Sequence, residues 1–477
     1  MKTLFSTTFN WPVFVGLAIL IRLLFIGMNW PSYFAVVLSL HQFTLLFNAI
    51  GFVIPVRYLL GAFMCVQFFI GPALAYSGLD EYQYIHYKMK IPEADYFSYA
   101  IPAVVSFIVG LHLFAGKLNG EIINEKQIGV FVDRHPELPY WFIGIGFVTS
   151  VVSGFFGSEL AFVFYLLGGL KFIGLFLLVI GSRELKVLPL VVVISSIVVS
   201  SLGEGMFHDL LTWIIFIGSI FAIRYKFGVN TKLIACGAFI FLAVTIQLLK
   251  GSYRTITSSE RGVESFSKLY EEENKDKSIF SFERLAPASV RINQGFIITN
   301  IMYNVPAFIP FSEGEEMYQV FEAAVLPRII APDKLRAGDR TIFMKYSGLR
   351  IRAGTSMGLS SLGDAYLNYG ITGGCVFMFL LGLLYSGVLY IFYRQGRTYP
   401  ILILFTALVF YYPIRPDCEL QTILGHVVKA CFLLYVMIMF FKSTFRVEEQ
   451  PVQSAPPEEE AQPEQPPQSH QLVQPAQ

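Results

Sequence analysis

The sequence predicts an all-α integral membrane protein with about 12 transmembrane helices and one large external loop between the ninth and tenth. Three observations predict it. The composition is too apolar for a soluble domain, the apolar runs recur at membrane-spanning length, and a single long polar stretch interrupts them. Of 477 residues, 55% are hydrophobic and 14% charged, whereas a soluble domain carries about 25% charged residues. A net charge of +1 gives no basis for nucleic-acid binding.

A spanning helix needs about 20 mostly apolar residues. Runs of that kind fall at 10–28, 32–50, 56–76, 97–115, 138–156, 159–181, 187–203, 207–224 and 232–250, then at 371–393, 398–413 and 419–441. The first lacks a small-residue cleavage site behind it and reads as a retained helix rather than a signal peptide. The chain thus divides into an N-terminal membrane domain (1–250), an external loop that is partly helical (251–362), a C-terminal membrane domain (363–446) and a tail (447–477). The tail is rich in Pro, Gln and Glu and has little to bury, which predicts disorder. Five cysteines, four of them inside apolar runs, show neither a disulfide framework nor metal-ligand spacing.

Lys and Arg concentrate in cytoplasmic loops of membrane proteins. With both termini inside, those loops hold Arg57, then Lys117, Lys126 and Arg134, then Arg183 and Lys186. Arg224, Lys226 and Lys232 follow, then Arg394 and Arg397, then Lys442 and Arg446. The short outside loops 157–158 and 204–206 carry none. This predicts an N-in, C-in orientation with the long loop outside.

Candidate chemistry gathers on that outer side. The segment Ala323 to Ala353 carries seven basic residues, among them Arg328, Lys334 and Arg340, against Asp333 and Asp339. Arginine offers a fork of donors that matches phosphate oxygens; attraction to anionic headgroups is the alternative. Upstream, residues 285–311 read as an amphipathic helix lying on the membrane surface, with Arg291 among its polar residues. Glu204, His208 and Asp209 cluster where the seventh and eighth spans meet and offer a general base for a hydroxyl. Arg415 and Asp417 end the eleventh span on the same side. Lys171 and Lys429, inside spans, are costly in lipid and are expected to face the protein interior or a water-filled cavity. The Gly-, Ser- and Thr-rich stretch Gly354 to Gly370, which includes Asp364, offers amides and hydroxyls for sugar hydroxyls or phosphate and then enters a helix at the membrane boundary; a flexible re-entry loop is the alternative.

In their order these features resemble the Wzy-type polymerases of bacterial surface polysaccharides, such as O-antigen. The resemblance rests on Leu249-Lys250-Gly251-Ser252-Tyr253-Arg254, then Leu326-Pro327-Arg328-Ile329-Ile330-Ala331-Pro332-Asp333-Lys334, then Gly354-Thr355-Ser356 and Gly363-Asp364-Ala365-Tyr366-Leu367-Asn368-Tyr369-Gly370. Many members have Glu where Asp364 stands. The resemblance implies a GT-C-like membrane fold in the bacterial inner membrane. It also implies a polyprenyl-pyrophosphate-dependent glycosyltransferase that needs no cofactor, metal or nucleotide sugar. Its substrates would be undecaprenyl-pyrophosphate-linked oligosaccharides, and its pathway partners a flippase and a chain-length regulator. By motif match it assigns pyrophosphate binding to Arg254, Arg328 and Lys334, and by extension to Arg291, Arg340 and Arg415. Glu204, His208, Asp209 and Asp364 remain the candidates for catalysis. An O-antigen ligase shares the donor; a lipid-linked oligosaccharide flippase or transporter would show repeated halves, which this sequence lacks.

The orientation is tested with single cysteines and a membrane-impermeant thiol reagent on intact cells. Cysteines replacing Ser267 and Ser312 are expected to react, and one replacing Gln395 is not. Labelling at Gln395 with protection at Ser312 would invert the topology.

Overall fold

In the computed structural model the apolar runs become helices, and helices alone build the framework among the described residues. The structure describes residues 9–78, 87–114, 123–155, 158–204, 207–256, 292–327, 330–335, 338, 340–351 and 357–447, with backbone alone at 154, 158–161, 204 and 248–256. The N-terminal half comprises α1 (Trp11–Leu24), α2 (Trp30–Ala49), α3 (Val56–Cys65), a π-helical turn (Val66–Ile70), α4 (Gly71–Tyr76) and α5 (Glu93–His112). It continues with α6 (Glu125–Arg134), α7 (Leu138–Val152), α8 (Ser158–Gly168), α9 (Leu170–Gly181), α10 (Val187–Glu204), α11 (His208–Arg224) and α12 (Val229–Ile256). Among the described residues of the long polar stretch three helices follow: α13 (Gly295–Asn304), α14 (Glu315–Val325) and α15 (Arg340–Ser347). The C-terminal part holds α16 (Ser360–Gln395), α17 (Ile401–Val409), α18 (Leu420–Phe440) and the single turn α19 (Lys442–Phe445).

Among the described residues, seven helical stretches are long and apolar enough to cross a membrane: Trp30–Ala49, Val56–Tyr76, Glu93–His112, Phe162–Gly181, Val229–Gln247, Ser360–Gln395 and Leu420–Phe440. Three apolar helices are shorter, Trp11–Leu24, Leu138–Val152 and Val187–Gly203. The sharpest difference from the twelve expected spans is at 398–413. There the helix proper is α17, nine residues that are all buried. At 1.5 Å per residue it is about 14 Å long, half a crossing, and the chain then leaves helical geometry from Phe410 to Glu419.

The external-loop region also differs from expectation. The helix predicted to lie on the membrane surface is α13, and Gly295 to Ile301 are all buried. The Tyr96 hydroxyl and the Pro72 ring press on Gly295 so closely that a Cβ there would meet them at 2.7 and 2.4 Å. A stretch walled in by protein has no free face for lipid, so Gly295–Ile301 of α13 is core rather than a surface float, with Tyr303 exposed at the helix end. The helix expected to enter the membrane boundary ahead of the span at 371–393 begins at Ser360. α16 kinks at Gly370, where φ is 65° and ψ −160°, a left-handed conformation that glycine adopts without a Cβ clash.

α5 and α16 form the most extensive helix pair. Their backbones approach so closely that a Cβ on Gly110 would lie 2.3 Å from the Phe379 carbonyl oxygen. One on Gly382 would lie 2.2 Å from that of Phe107. Without a hydrophobic drive between helices in lipid, such small-residue contacts supply the packing.

The two ends of the bundle differ. Arg224 donates to the carbonyls of Ser182 (2.8 Å) and Arg183 (3.0 Å), Lys226 pairs with Glu125, and Gln127 donates to the Arg397 carbonyl (3.0 Å). Several basic residues counted as cytoplasmic therefore share one end. The start of α11 meets Gln294, Gly338 and Met357 at the other, beside the 410–419 turn.

Replacing Gly382 by Ala is expected to lower stability by about 1–3 kcal/mol, the usual cost of overpacking. Gly387→Ala on the same helix meets open space and is expected to be neutral or slightly stabilising. Thermal unfolding of the purified variants in detergent measures both; equal midpoints would contradict the close contact.

Candidate functional site

The non-helical turn from Phe410 to Glu419 carries Arg415, Asp417 and Glu419 into the bundle, where three other elements meet them. α11 begins with His208 and Asp209, and an acid in a first turn favours the positive end of the helix dipole. The Asp209 carboxylate lies 2.5 Å from His208 Nε2 and 4.0 Å from the Arg415 guanidinium. The Tyr411 hydroxyl lies against the same carboxylate. About a third of each of the His208 and Asp209 side chains is exposed, Arg415 less. Burial pushes the Arg415 guanidinium down, but Cys418, Asp417, Tyr411 and Asp209 outweigh it, so its pKa lies above the ordinary arginine value. It is a fixed positive charge.

Asp417 is held from the π-helical turn, where Gln67 Nε2 donates to Oδ1 at 3.4 Å. The same Gln67 accepts from the Gln294 amide (3.1 Å) through its carbonyl, which ties the start of α13 to the turn. A π-turn adds a residue to a helical revolution and is frequent at functional sites. Glu419 accepts the Gly338 amide at 2.8 Å, and the Asp364 carboxylate accepts that of Leu420.

Together these groups border a cavity of about 1000 Å³. His208, Asp209, Arg415, Asp417 and Glu419 mark its mouth, and Gln294, Gly338, Met357 and Gly358 cover it. Its wall is aromatic: Phe172 stacks on Trp213 (3.5 Å between centroids, 19°), and Trp213 stacks on Tyr411 (5.2 Å, 20°). Lys171 also lines it, as its cost in lipid requires, whereas Lys429 is exposed with its ammonium over the Phe162 ring at 4.3 Å.

The structure brings together His208, Asp209 and Arg415 from the candidates. Asp364 is set apart, in a smaller pocket behind Glu419, which lines both spaces. Glu204 ends α10 at the same end of the bundle, and Arg254 lies in α12, but the side chains of both lie outside the described residues. Arg291 and Arg328 also lie outside them. Lys334 and Arg340 make internal contacts: Lys334 Nζ donates to the carbonyls of Ala323 (2.9 Å) and Leu326, and Arg340 to that of Ile351. Those contacts fasten their own segment.

Glu419, Trp213 and Gln67 escaped the sequence reading. The alternation of Arg415, Asp417 and Glu419 in five residues at a helix start was a signal for Glu419; nothing local announces the other two. Chemically the arrangement offers an imidazole oriented by a carboxylate, a fixed cation beside it, and an aromatic-walled space open at one end. No protein-family model, curated protein or solved structure matches this chain.

Because Glu419 accepts the Gly338 amide, Glu419→Ala is expected to release the segment around it, at a cost of about 1–3 kcal/mol for the amide left without an acceptor. Limited trypsin digestion should then cut faster after Lys334 and Arg336 than in the parent, with Glu419→Gln close to the parent. Unchanged cleavage in Glu419→Ala would show that the contact does not hold the segment.

Proposed function

We propose that this chain is an inverting glycosyltransferase that joins undecaprenyl-pyrophosphate-linked oligosaccharide repeat units on the outer face of the bacterial cytoplasmic membrane. The observation that carries the reading is the His208–Asp209 pair beside Arg415 at the mouth of one large cavity. Such a transfer needs a base for the acceptor hydroxyl and a cation for the departing pyrophosphate, close together and near the membrane surface.

In this reading Asp209 holds the His208 ring through Nε2 and leaves Nδ1 to accept the proton of the acceptor hydroxyl. The hydroxyl oxygen attacks C1 of the donor sugar from the face opposite the pyrophosphate, forming the new glycosidic bond. The bond from C1 to the pyrophosphate oxygen breaks, and undecaprenyl pyrophosphate leaves with the electron pair. Arg415, charged throughout, stabilises the negative charge that develops on it. The aromatic wall of Phe172, Trp213 and Tyr412, backed by Tyr411, suits a sugar face on one side and a polyprenyl chain on the other.

The basic segment 328–352 takes a secondary part. Lys334 and Arg340 turn to carbonyls of their own segment, so the anion-binding role expected of them passes to Arg415.

Purified protein given undecaprenyl-pyrophosphate-linked repeat units alone is expected to make a ladder of longer lipid-linked glycans. His208→Ala should slow it by roughly 100-fold or more, as for a general base. Arg415→Lys keeps the charge and loses the two-pronged contact, so a loss of about 10-fold or more is expected. Parent-like ladders from both variants would move the chemistry elsewhere, and transfer to a different acceptor without any ladder would indicate a ligase.

A further inference from the structure

Among the described residues, Lys171 is the cation lining the cavity that the proposed reaction leaves without a task. It is the second residue of α9, just past Gly169 where α8 ends, and its ammonium lies over the rings of Phe147 (5.3 Å) and Phe172 (5.4 Å). Trp213 stacks on Phe172 and stands five residues along α11 from His208. At 1.5 Å per residue Trp213 is about 6 Å along α11 from Asp209, so Lys171 lines a part of the cavity beyond the Asp209–Arg415 pair. A cation at that depth is costly unless it serves a ligand or a path.

The surroundings narrow what that ligand is. The cavity wall near Lys171 draws on Ser150 and Val151 of α7 and on Ser196 and Ile197 of α10. The Ser150 and Ser196 hydroxyls donate to the Gly146 and Val193 carbonyls of their own helices, each at 2.7 Å, which leaves the ammonium as the group that attracts an anion. The acids lining the cavity are engaged at its mouth: Asp209 with His208 and Arg415, Asp417 with Gln67, Glu419 with the Gly338 amide. α7 and α10 both pack on α9, and both turn apolar side chains outward, Val148 and Val151 on one, Val191 and Val199 on the other. The path between them is apolar outside and cationic within, which is the charge pattern of a lipid with an anionic head.

We propose that Lys171 grips the lipid-proximal phosphate of a polyprenyl pyrophosphate, with Arg415 on the sugar-proximal phosphate and the tail leaving between α7 and α10. This rests on the substrate class proposed above and adds to it the direction of the substrate and the path of its tail. Charge-assisted contacts of about 2.8 Å to each phosphate let two cations lining different parts of one cavity straddle one diphosphate. A monophosphate reaches only one of them. The cavity thereby distinguishes the activated lipid from its monophosphate.

The test measures binding of geranylgeranyl pyrophosphate and geranylgeranyl monophosphate to the full-length protein in detergent. The parent is expected to prefer the diphosphate by about 10-fold or more, the scale of one contact between charged groups. Lys171→Met should abolish that preference, chiefly by weakening the diphosphate, and Lys171→Arg should restore part of it. Ile197→Trp, which narrows the tail path, should weaken both lipids and leave inorganic pyrophosphate binding unchanged. A Lys171→Met protein that keeps the parent's preference overturns the assignment while leaving the substrate class intact. Equal competition by phosphatidylglycerol overturns it in favour of a general headgroup site. A parent protein that binds neither probe overturns both the assignment and the substrate class.

Discussion

The turn from Phe410 to Glu419 is non-helical backbone carrying three charged side chains inside an apolar bundle, and it persists only because other elements meet those charges. Irregular backbone at membrane depth is tolerated where protein or a water-filled cavity surrounds it. Here Arg415 faces Asp209 of α11, Asp417 meets Gln67 of the π-helical turn, and Glu419 takes the Gly338 amide. Each contact reaches a different part of the chain. The turn thereby fixes the positions of α11, the α3–α4 helix and the polar segment relative to one another, and the cavity is the space they leave.

The scaffold behind it follows the packing rules of helices in lipid. Close glycine contacts between α5 and α16 form a rigid pair, and Tyr99 of α5 donates to the Leu362 carbonyl at the start of α16 (2.7 Å). α13 is buried against this pair and the α3–α4 helix. The polar segment is therefore anchored through α13 before it covers the cavity mouth. The polar groups of the cavity gather at that end, opposite the one where Arg224 donates to the Ser182 and Arg183 carbonyls.

Much of this was legible in the sequence. Hydropathy and length identified the long helices, because a run such as 371–393 or 419–441 has no other stable state in lipid. Charge marked His208, Asp209 and Arg415 as residues of interest, and the structure brings them together. What could not be read is what depends on tertiary contact. The run 398–413 is apolar enough to span, yet its helix stops at Val409, and Tyr412, Arg415, Asp417, Cys418 and Glu419 of the turn that follows line a cavity. α13 has a mixed surface in sequence, but its polar groups find internal partners, as when Thr299 accepts the Lys90 amide (3.1 Å), so it sinks into the core. Lys334 and Arg340 read as anion-binding because spacing shows charge and not direction; their side chains turn to nearby carbonyls.

The central claim is that the cavity between α9, α10, α11 and the 410–419 turn holds the pyrophosphate of a lipid-linked glycan. A cryo-electron microscopy map of the protein in nanodiscs with a non-reactive polyprenyl pyrophosphate analogue tests it most directly. The account predicts diphosphate density inside the cavity with one phosphate in contact with Arg415. Density bound instead along the outer surface of the basic segment 328–352, with the cavity empty, would contradict it.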